Sequence, residues 1–228
     1  PHVFSVTVTD DGNPSASASA TFNVGVAELN NPPTLAAIED ASLLELTSLQ
    51  ITCLASDSDL PANQLIFSFE SAPPAGMTLD PITGVLDWTP SEAQGPGVYA
   101  IGVVVTDNGA PNKSAIQRFN VTVTEQNLPP VIAPVGNQTV DEGVELAIMG
   151  SATDADLPKQ ALSYSLVGAP AGMTIDASSG AISWTPTEAQ GPNTYSVELV
   201  VSDGATPPLT DSTTFDIQVN EVNAAPTV

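Results

Sequence analysis

Basic residues, histidine and cysteine are scarce in this chain, and each scarcity removes a class of function. Against 26 acidic residues stand three basic ones, Lys113, Arg118 and Lys159, and a single histidine, His2. Nucleic-acid binding needs clustered Lys and Arg to displace condensed counterions from phosphates, and no such cluster exists. Attraction to an anionic membrane surface fails for the same reason. Cys53 is alone, so no intrachain disulfide can form. Among apolar and β-branched neighbours it reads as a small core residue of a strand rather than a reactive thiol. Aromatics amount to 5%. No apolar run approaches the ~18 residues that cross a bilayer, and no secretion signal opens the chain. The first residues fall inside a strand-like pattern, as in a segment cut from a longer protein, so the missing signal is silent on compartment.

What is present is apolar enough to fold. Leu, Ile, Val and Phe make up about a quarter of the 228 residues, above the ~20% below which a strongly charged chain stays disordered. The length suits about two domains. A net charge of −23 favours cation binding and repels itself unless something neutralises it.

The chain repeats itself, which decides its organisation. Asp57-Ser58-Asp59-Leu60-Pro61 returns 97 residues on as Asp154-Ala155-Asp156-Leu157-Pro158. Trp88-Thr89-Pro90-Ser91-Glu92-Ala93-Gln94-Gly95-Pro96 returns 96 residues on as Trp184-Thr185-Pro186-Thr187-Glu188-Ala189-Gln190-Gly191-Pro192. Ala75-Gly76-Met77-Thr78 returns as Ala171-Gly172-Met173-Thr174, and the turn at Asp10-Asp11-Gly12 returns at Asp107-Asn108-Gly109 and Asp203-Gly204-Ala205. Pro-rich stretches at Asn30–Pro33, Asn127–Pro130 and Asn223–Pro226 mark three linkers. Residues 1–31 are therefore expected to be the tail of one repeat, 32–127 and 128–223 complete repeats, and 224–228 the start of another.

Each repeat reads as all-β. Strict alternation, the period of a half-buried strand, runs through Tyr99, Ile101, Val103, Val105 and again through Tyr195, Val197, Leu199, Val201. The closing strands alternate likewise at Phe22, Val24, Val26, at Phe119, Val121, Val123 and at Phe215, Ile217, Val219. Gly, Pro, Asn and Asp punctuate the turns. Roughly seven short strands per repeat with no helical period predict tandem Greek-key β-sandwiches of immunoglobulin-like, cadherin-like architecture. Residues 1–31 hold two strands, too few to close a sandwich alone.

The acids are placed unlike a solvated coat. They gather at strand ends and turns: the Asp-x-Asp pairs, the Asp closing Val-Thr-Asp or Val-Ser-Asp, the Glu after Trp-Thr-Pro, Glu45 and Glu142 near the first strands, and Glu28, Glu125 and Glu221 two residues before a linker Asn. This order of features resembles cadherin repeats, and more closely the dystroglycan-type cadherin-like and immunoglobulin-like repeats of large bacterial surface proteins, over the whole chain. In cadherins one repeat gives glutamates and a linker, and the next gives an Asp-x-Asp pair and a later Asp, to calcium.

Carried over, the resemblance implies a central junction of Glu45, Glu92, Glu125 and Asn127 with Asp154, Asp156 and Asp203. A first junction would use Glu28 and Asn30 with Asp57, Asp59 and Asp107. Glu142, Glu188, Glu221 and Asn223 would form half of a third. The linker Glu125-Gln126-Asn127-Leu128-Pro129-Pro130 is a residue shorter than the cadherin pattern Asp-x-Asn-Asp-Asn-x-Pro and lacks its second Asp and second Asn, and Thr-Pro-x-Glu replaces Leu-Asp-Arg-Glu. One or two ions per junction are expected instead of three.

Elementary chemistry favours the same ion. Ca2+ takes six to eight oxygens, no His or Cys joins the set to suit softer metals, and two like charges about 4 Å apart cost ~4 kcal/mol at an effective dielectric near 20. Catalysis is not expected: His2 cannot anchor a triad in each repeat, and a glycosidase pair needs a cleft and one acid of raised pKa. Trp88 and Trp184 read as core or edge packing, with sugar stacking as the alternative. Met77 and Met173 read as core fillers. Sequons at Asn112, Asn120 and Asn137 carry little weight. The expectation is a non-catalytic, calcium-stiffened spacer or adhesion segment of an extracellular, bacterial surface protein. Its partners would be calcium, neighbouring repeats, and surface proteins or polysaccharides. A carbohydrate-binding accessory module of a secreted glycan-active enzyme is the second reading.

Overall fold

The computed structural model describes residues 2–26 and 29–223, and its regular structure is almost wholly β. Among the described residues no helix is long and apolar enough to cross a membrane. The strands are β1 (His2–Thr9), β2 (Ser17–Val24), β3 (Thr34–Leu35), β4 (Ala41–Leu44), β5 (Leu49–Thr52), β6 (Ala55–Ser56), β7 (Leu65–Phe69), β8 (Thr78–Leu79), β9 (Val85–Trp88), β10 (Gly97–Asp107) and β11 (Ser114–Thr124). The second copy follows as β12 (Val131–Ile132), β13 (Gln138–Asp141), β14 (Leu146–Met149), β15 (Ala152–Thr153), β16 (Ser163–Val167), β17 (Thr174–Ile175), β18 (Ala181–Trp184), β19 (Asn193–Ser202) and β20 (Thr210–Asn220).

The two copies share one topology. Sheets of order β4-β11-β10-β7 and β5-β9-β8 are repeated as β13-β20-β19-β16 and β14-β18-β17, with small pairs β3-β6 and β12-β15. The first strand of each repeat is broken in two, its halves pairing in different sheets. In the second copy β12 runs antiparallel to β15, while β13 runs parallel to β20. The alternating rows found in the sequence are the core. Ile101, Val103, Val105, Phe119, Val121 and Val123 are buried, as are Val197, Leu199, Val201, Phe215, Ile217 and Val219. Val26 lies beyond the end of β2 and is exposed.

The tryptophans pack inward, at 2% and 1% exposure, so neither offers a ring face to sugar. Trp88 Nε1 donates to the Ala75 carbonyl and Trp184 Nε1 to that of Ala171, both at 3.2 Å. Each meets a tyrosine edge-on, Tyr99 at 5.0 Å and Tyr195 at 5.2 Å between ring centres. The Ala-Gly-Met-Thr motif is thus the cradle of the tryptophan, with Met77 buried beside it. Cys53 is buried, and burial raises its thiol pKa.

β1 and β2 pair with each other, in register from His2↔Val24 to Thr9↔Ser17. Both strands are exposed throughout. Phe4, Val6, Val8, Phe22 and Val24 stand where Ile101, Val103, Val105, Phe119 and Val121 are buried in the complete repeat. The hairpin therefore carries half of a core.

The chain divides into two compact units. Pro1–Ala41, Leu49–Trp88 and Tyr99–Val121 make the first; Ser42–Ser48, Thr89–Val98 and Thr122–Val228 make the second. The Glu45 turn, the Glu92 turn and the end of β11 thus group with the second copy rather than with the rest of the first.

Candidate metal centre

Every residue of the central set lies in the second unit. Glu45 follows β4, Glu92 opens a 3-10 turn (Glu92–Gln94), Glu125 follows β11, and Asp154, Asp156 and Asp203 follow β15 and β19. The turn at Glu92 is closed locally: the Ser91 N–H donates to Gln94 Oε1 at 2.8 Å. Glu45 is pinned by its backbone, its N–H donating to the Thr124 carbonyl at 3.0 Å. Its side chain lies against Gly95, where a Cβ would overlap Glu45 Oε2.

One carboxylate oxygen from each of Glu45, Glu92 and Glu125 lies within 4.8 Å of the others. Glu45 and Asp156 are fully buried and Asp203 nearly so. Backbone and amide donors hold one side of the cluster. Leu128 N–H donates to both Asp156 oxygens at 3.1 Å, Asp156 N–H to Asp154 Oδ1 at 2.9 Å, and Leu157 N–H to Glu92 Oε1 at 2.9 Å. Asn127 Nδ2 donates to Asp203 Oδ2 at 2.9 Å.

Several other oxygens of the set meet no donor among the described residues. Glu45 Oε2, Glu92 Oε2, both Glu125 oxygens and Asp154 Oδ2 are buried without a hydrogen-bond partner. Unpaired buried carboxylate oxygens are costly, and the electrostatics register it. Burial first, then the charges of Glu45, Glu92 and Asp156, push the Glu125 carboxyl up to about 7. Asp156 is also raised, by burial and by Asp154, Glu92 and Asp203, against the Leu128 N–H. Asp203 differs: burial pushes it up, but the Asn127 amide and the Leu209 and Ala205 N–H groups outweigh that and hold it below the ordinary range. This donor set, all oxygen with several lone pairs unspent, fits a hard divalent cation such as Ca2+, which tolerates irregular geometry. Glu45, Glu92, Glu125, Asp154 and Asp156 would hold it, and the ion would supply the missing positive charge.

The remaining candidates form two partial sets. In the second unit, Glu142, Glu188 and Glu221 also bring one oxygen each within 4.8 Å of one another. Glu142 is buried and the other two exposed, Glu142 Oε1 accepts from the Val222 N–H at 2.9 Å, and Glu142 Oε2 is unpartnered. The Glu142 charge, then burial and Glu221, raise the Glu188 pKa. Asn223 is exposed and near the end of the described chain.

In the first unit, Asn30 Nδ2 donates to both Asp107 oxygens at 3.2 Å, Asn31 binds both Asp59 oxygens at 2.7 and 2.8 Å, and Asp59 N–H donates to Asp57 Oδ1 at 2.8 Å. Asp57 Oδ2 is left without a partner. Glu28 lies outside the described residues.

Besides Asn31, two amides were not anticipated from sequence. Asn63 Nδ2 donates to Asn30 Oδ1 at 2.9 Å and to Asp59 Oδ2 at 3.2 Å; Gln160 Nε2 donates to Asn127 Oδ1 at 2.8 Å and to Asp156 Oδ2 at 3.4 Å. Both stand four residues after the second Asp of the Asp-x-Asp pair, a repeat-borne position that could have flagged them.

Human protocadherin Fat 4 is 32% identical over 95% of the chain, and the Staphylococcus aureus (strain USA300) serine-rich adhesin for platelets is 27% identical over 66% of it. The chain spans only about 5–6% of the length of these relatives. Because they come from an animal as well as a bacterium, they give the bacterial assignment no support. Mouse cadherin-23 EC22-24 superposes with a TM-score of 0.52 at 21% identity, over 96% of this chain and 74% of that one, and so shares its fold. The family described as "Putative Ig domain" matches residues 32–124 and 129–220. The chain belongs to that family, as a run of cadherin-like, immunoglobulin-type tandem repeats.

Proposed function

We propose that the chain is a calcium-binding, non-catalytic stretch of a larger extracellular protein, in which ions fix successive repeats for spacing or adhesion. The carrying observation is the set of buried oxygens without partners on Glu45, Glu92, Glu125 and Asp154. A protein keeps such groups at a cost unless a ligand completes them. Asn127, Asp156 and Asp203 complete the central set. Asn30, Asp57, Asp59 and Asp107, with Glu28, are proposed for a first set, and Glu142, Glu188, Glu221 and Asn223 for part of a third. Similarity to proteins named as protocadherins and an adhesin supports the spacer or adhesion role and the extracellular setting. Extracellular modules bind calcium at roughly 0.1–1 mM, so occupancy would follow the outside medium. Neighbouring repeats of the same protein are the first partners.

Calcium titration calorimetry tests the reading on wild type and on the double variant Asp154→Ala/Asp156→Ala. The variant should lose the heat of the central set. Equal heats, or none in either protein, would overturn the proposal.

A further inference from the structure

Lys113 is one of three basic residues in the chain; it is half-buried, and its charge acts on Asp107. The loop from Asp107 to Lys113 in the first unit and the loop from Asp203 to Leu209 in the second are built alike. Asp107 Oδ1 accepts from the Gly109 N–H at 3.0 Å and the Lys113 N–H at 2.9 Å; Asp203 Oδ1 accepts from the Ala205 N–H at 3.1 Å and the Leu209 N–H at 3.0 Å. A linker asparagine reaches each aspartate, Asn30 in one copy and Asn127 in the other.

The copies differ in how the corner is finished. In the first unit the Lys113 ammonium donates to the Asn30 backbone carbonyl at 2.5 Å, and Asn30 Nδ2 also reaches the Pro111 carbonyl at 2.7 Å. Gly109 makes this possible, because a Cβ there would overlap the Asn30 amide. In the second unit a half-buried leucine, Leu209, stands in place of the lysine, and Ala205 in place of the glycine. Among the described residues no ammonium or guanidinium bonds to the Asn127–Asp203 corner.

Resting on the calcium reading above, we propose that Lys113 is a built-in counter-cation. Its ammonium takes the place beside the Asn30 carbonyl and Asp107 that a divalent ion would otherwise fill. The first-unit corner then holds its shape without metal and binds calcium more weakly than it would with a neutral residue there. A carbonyl already accepting from an ammonium is withdrawn from the ion's coordination, and an arriving ion meets like charge at short range. The corner of the second unit, lacking this cation, is left to the metal. One protein thus contains a metal-independent and a metal-dependent version of the same loop.

The two sets also differ in their glutamates, so the test exchanges this one residue in the full chain. Lys113→Met keeps the length and removes the charge, Lys113→Leu copies the second unit, and Leu209→Lys transfers the cation. In chelator-treated wild type, the Gly109 and Lys113 amides should exchange with solvent more slowly than the Ala205 and Leu209 amides. Lys113→Met should abolish that difference for Gly109. With calcium followed by the shifts of the Asp57, Asp59 and Asp107 amides, both Lys113 variants should bind roughly tenfold more tightly, as expected when one partly screened charge beside the ion is removed. Leu209→Lys should weaken calcium at Asp203 and slow exchange there. Unchanged exchange and unchanged calcium shifts in Lys113→Met and Leu209→Lys would overturn the inference. If wild type binds no calcium, the function proposed above falls, and metal-free exchange alone decides on Lys113: faster exchange in Lys113→Met supports it, unchanged exchange rejects it.

Discussion

Two residues near the acids carry testable tension. Leu46 has φ 59°, in the left-handed region that costs a side-chain-bearing residue ~1–2 kcal/mol. The matching position of the second copy is Gly143, at φ 72°. Leu46→Gly relieves that strain while adding roughly 0.4–1 kcal/mol of unfolded-state entropy, for a net gain of about 0.5–1 kcal/mol in a denaturant titration; a loss of stability would contradict the strain. Glu125 gives a pH dependence. Its folded pKa is about 7 against an ordinary 4.5, so its contribution to the metal-free fold is whole below the ordinary value and is lost as pH rises through about 7. Calcium works the other way, since the proton must leave before the carboxylate binds. From about pH 5 to about pH 8, this group should lower the melting temperature in chelator and widen the gain from calcium; Glu125→Gln should flatten both trends. The acids at these positions were legible because carboxylates massed at turns are conspicuous in a chain with three cations. Asn63 and Gln160 were not, because a neutral amide in a loop looks like any other turn residue until its partners are known.

Among elements, the long hairpins were the most legible. β10, β11, β19 and β20 alternate buried and open positions for up to 11 residues, and a wrong register would turn the whole apolar row outward. Leu199 is fully buried in β19, and Leu199→Ala should cost about 2–5 kcal/mol by removing packed methyl groups and leaving a cavity, read as a lower denaturant midpoint. An unchanged midpoint would mean that the row is not the core. Less was readable where pairing decides. The break between β3 and β4 and between β12 and β13 sends one stretch of chain to two sheets, and short segments such as Thr34–Leu35 have too few residues to show a period. The Trp-Thr-Pro-x-Glu-Ala-Gln stretch was visible as a repeat, yet its tight turn, closed by Gln94 on Ser91 and by Gln190 on Thr187 at 2.8 Å, came from side-chain to backbone bonds that composition does not reveal.

For the molecule as a whole, the charge of −23 sets the terms. Without divalent ions the acids within each set repel one another, and salt screens such repulsion over ~10 Å at ~0.1 M. Raising NaCl from about 0.05 M to about 0.5 M should therefore raise the melting temperature in chelator by several degrees, and change it far less in calcium; equal salt responses in both would argue that the acids are merely solvated. The two-copy plan was readable from offsets of 97 and 96 residues. The grouping of the Glu45 and Glu92 turns with the second copy was not in those offsets, since contacts rather than chain order determine it; the cadherin resemblance alone implied it. The lone thiol has a use that follows from its burial. Cys53 is 2% exposed in the first unit, its N–H bonded to the Gly84 carbonyl at 2.9 Å, so a maleimide reaches it only when that region opens. Labelling of the native chain becomes an internal clock for the first unit, ticking without an added probe, and the spacing of its ticks with and without calcium times how far an ion's grip reaches.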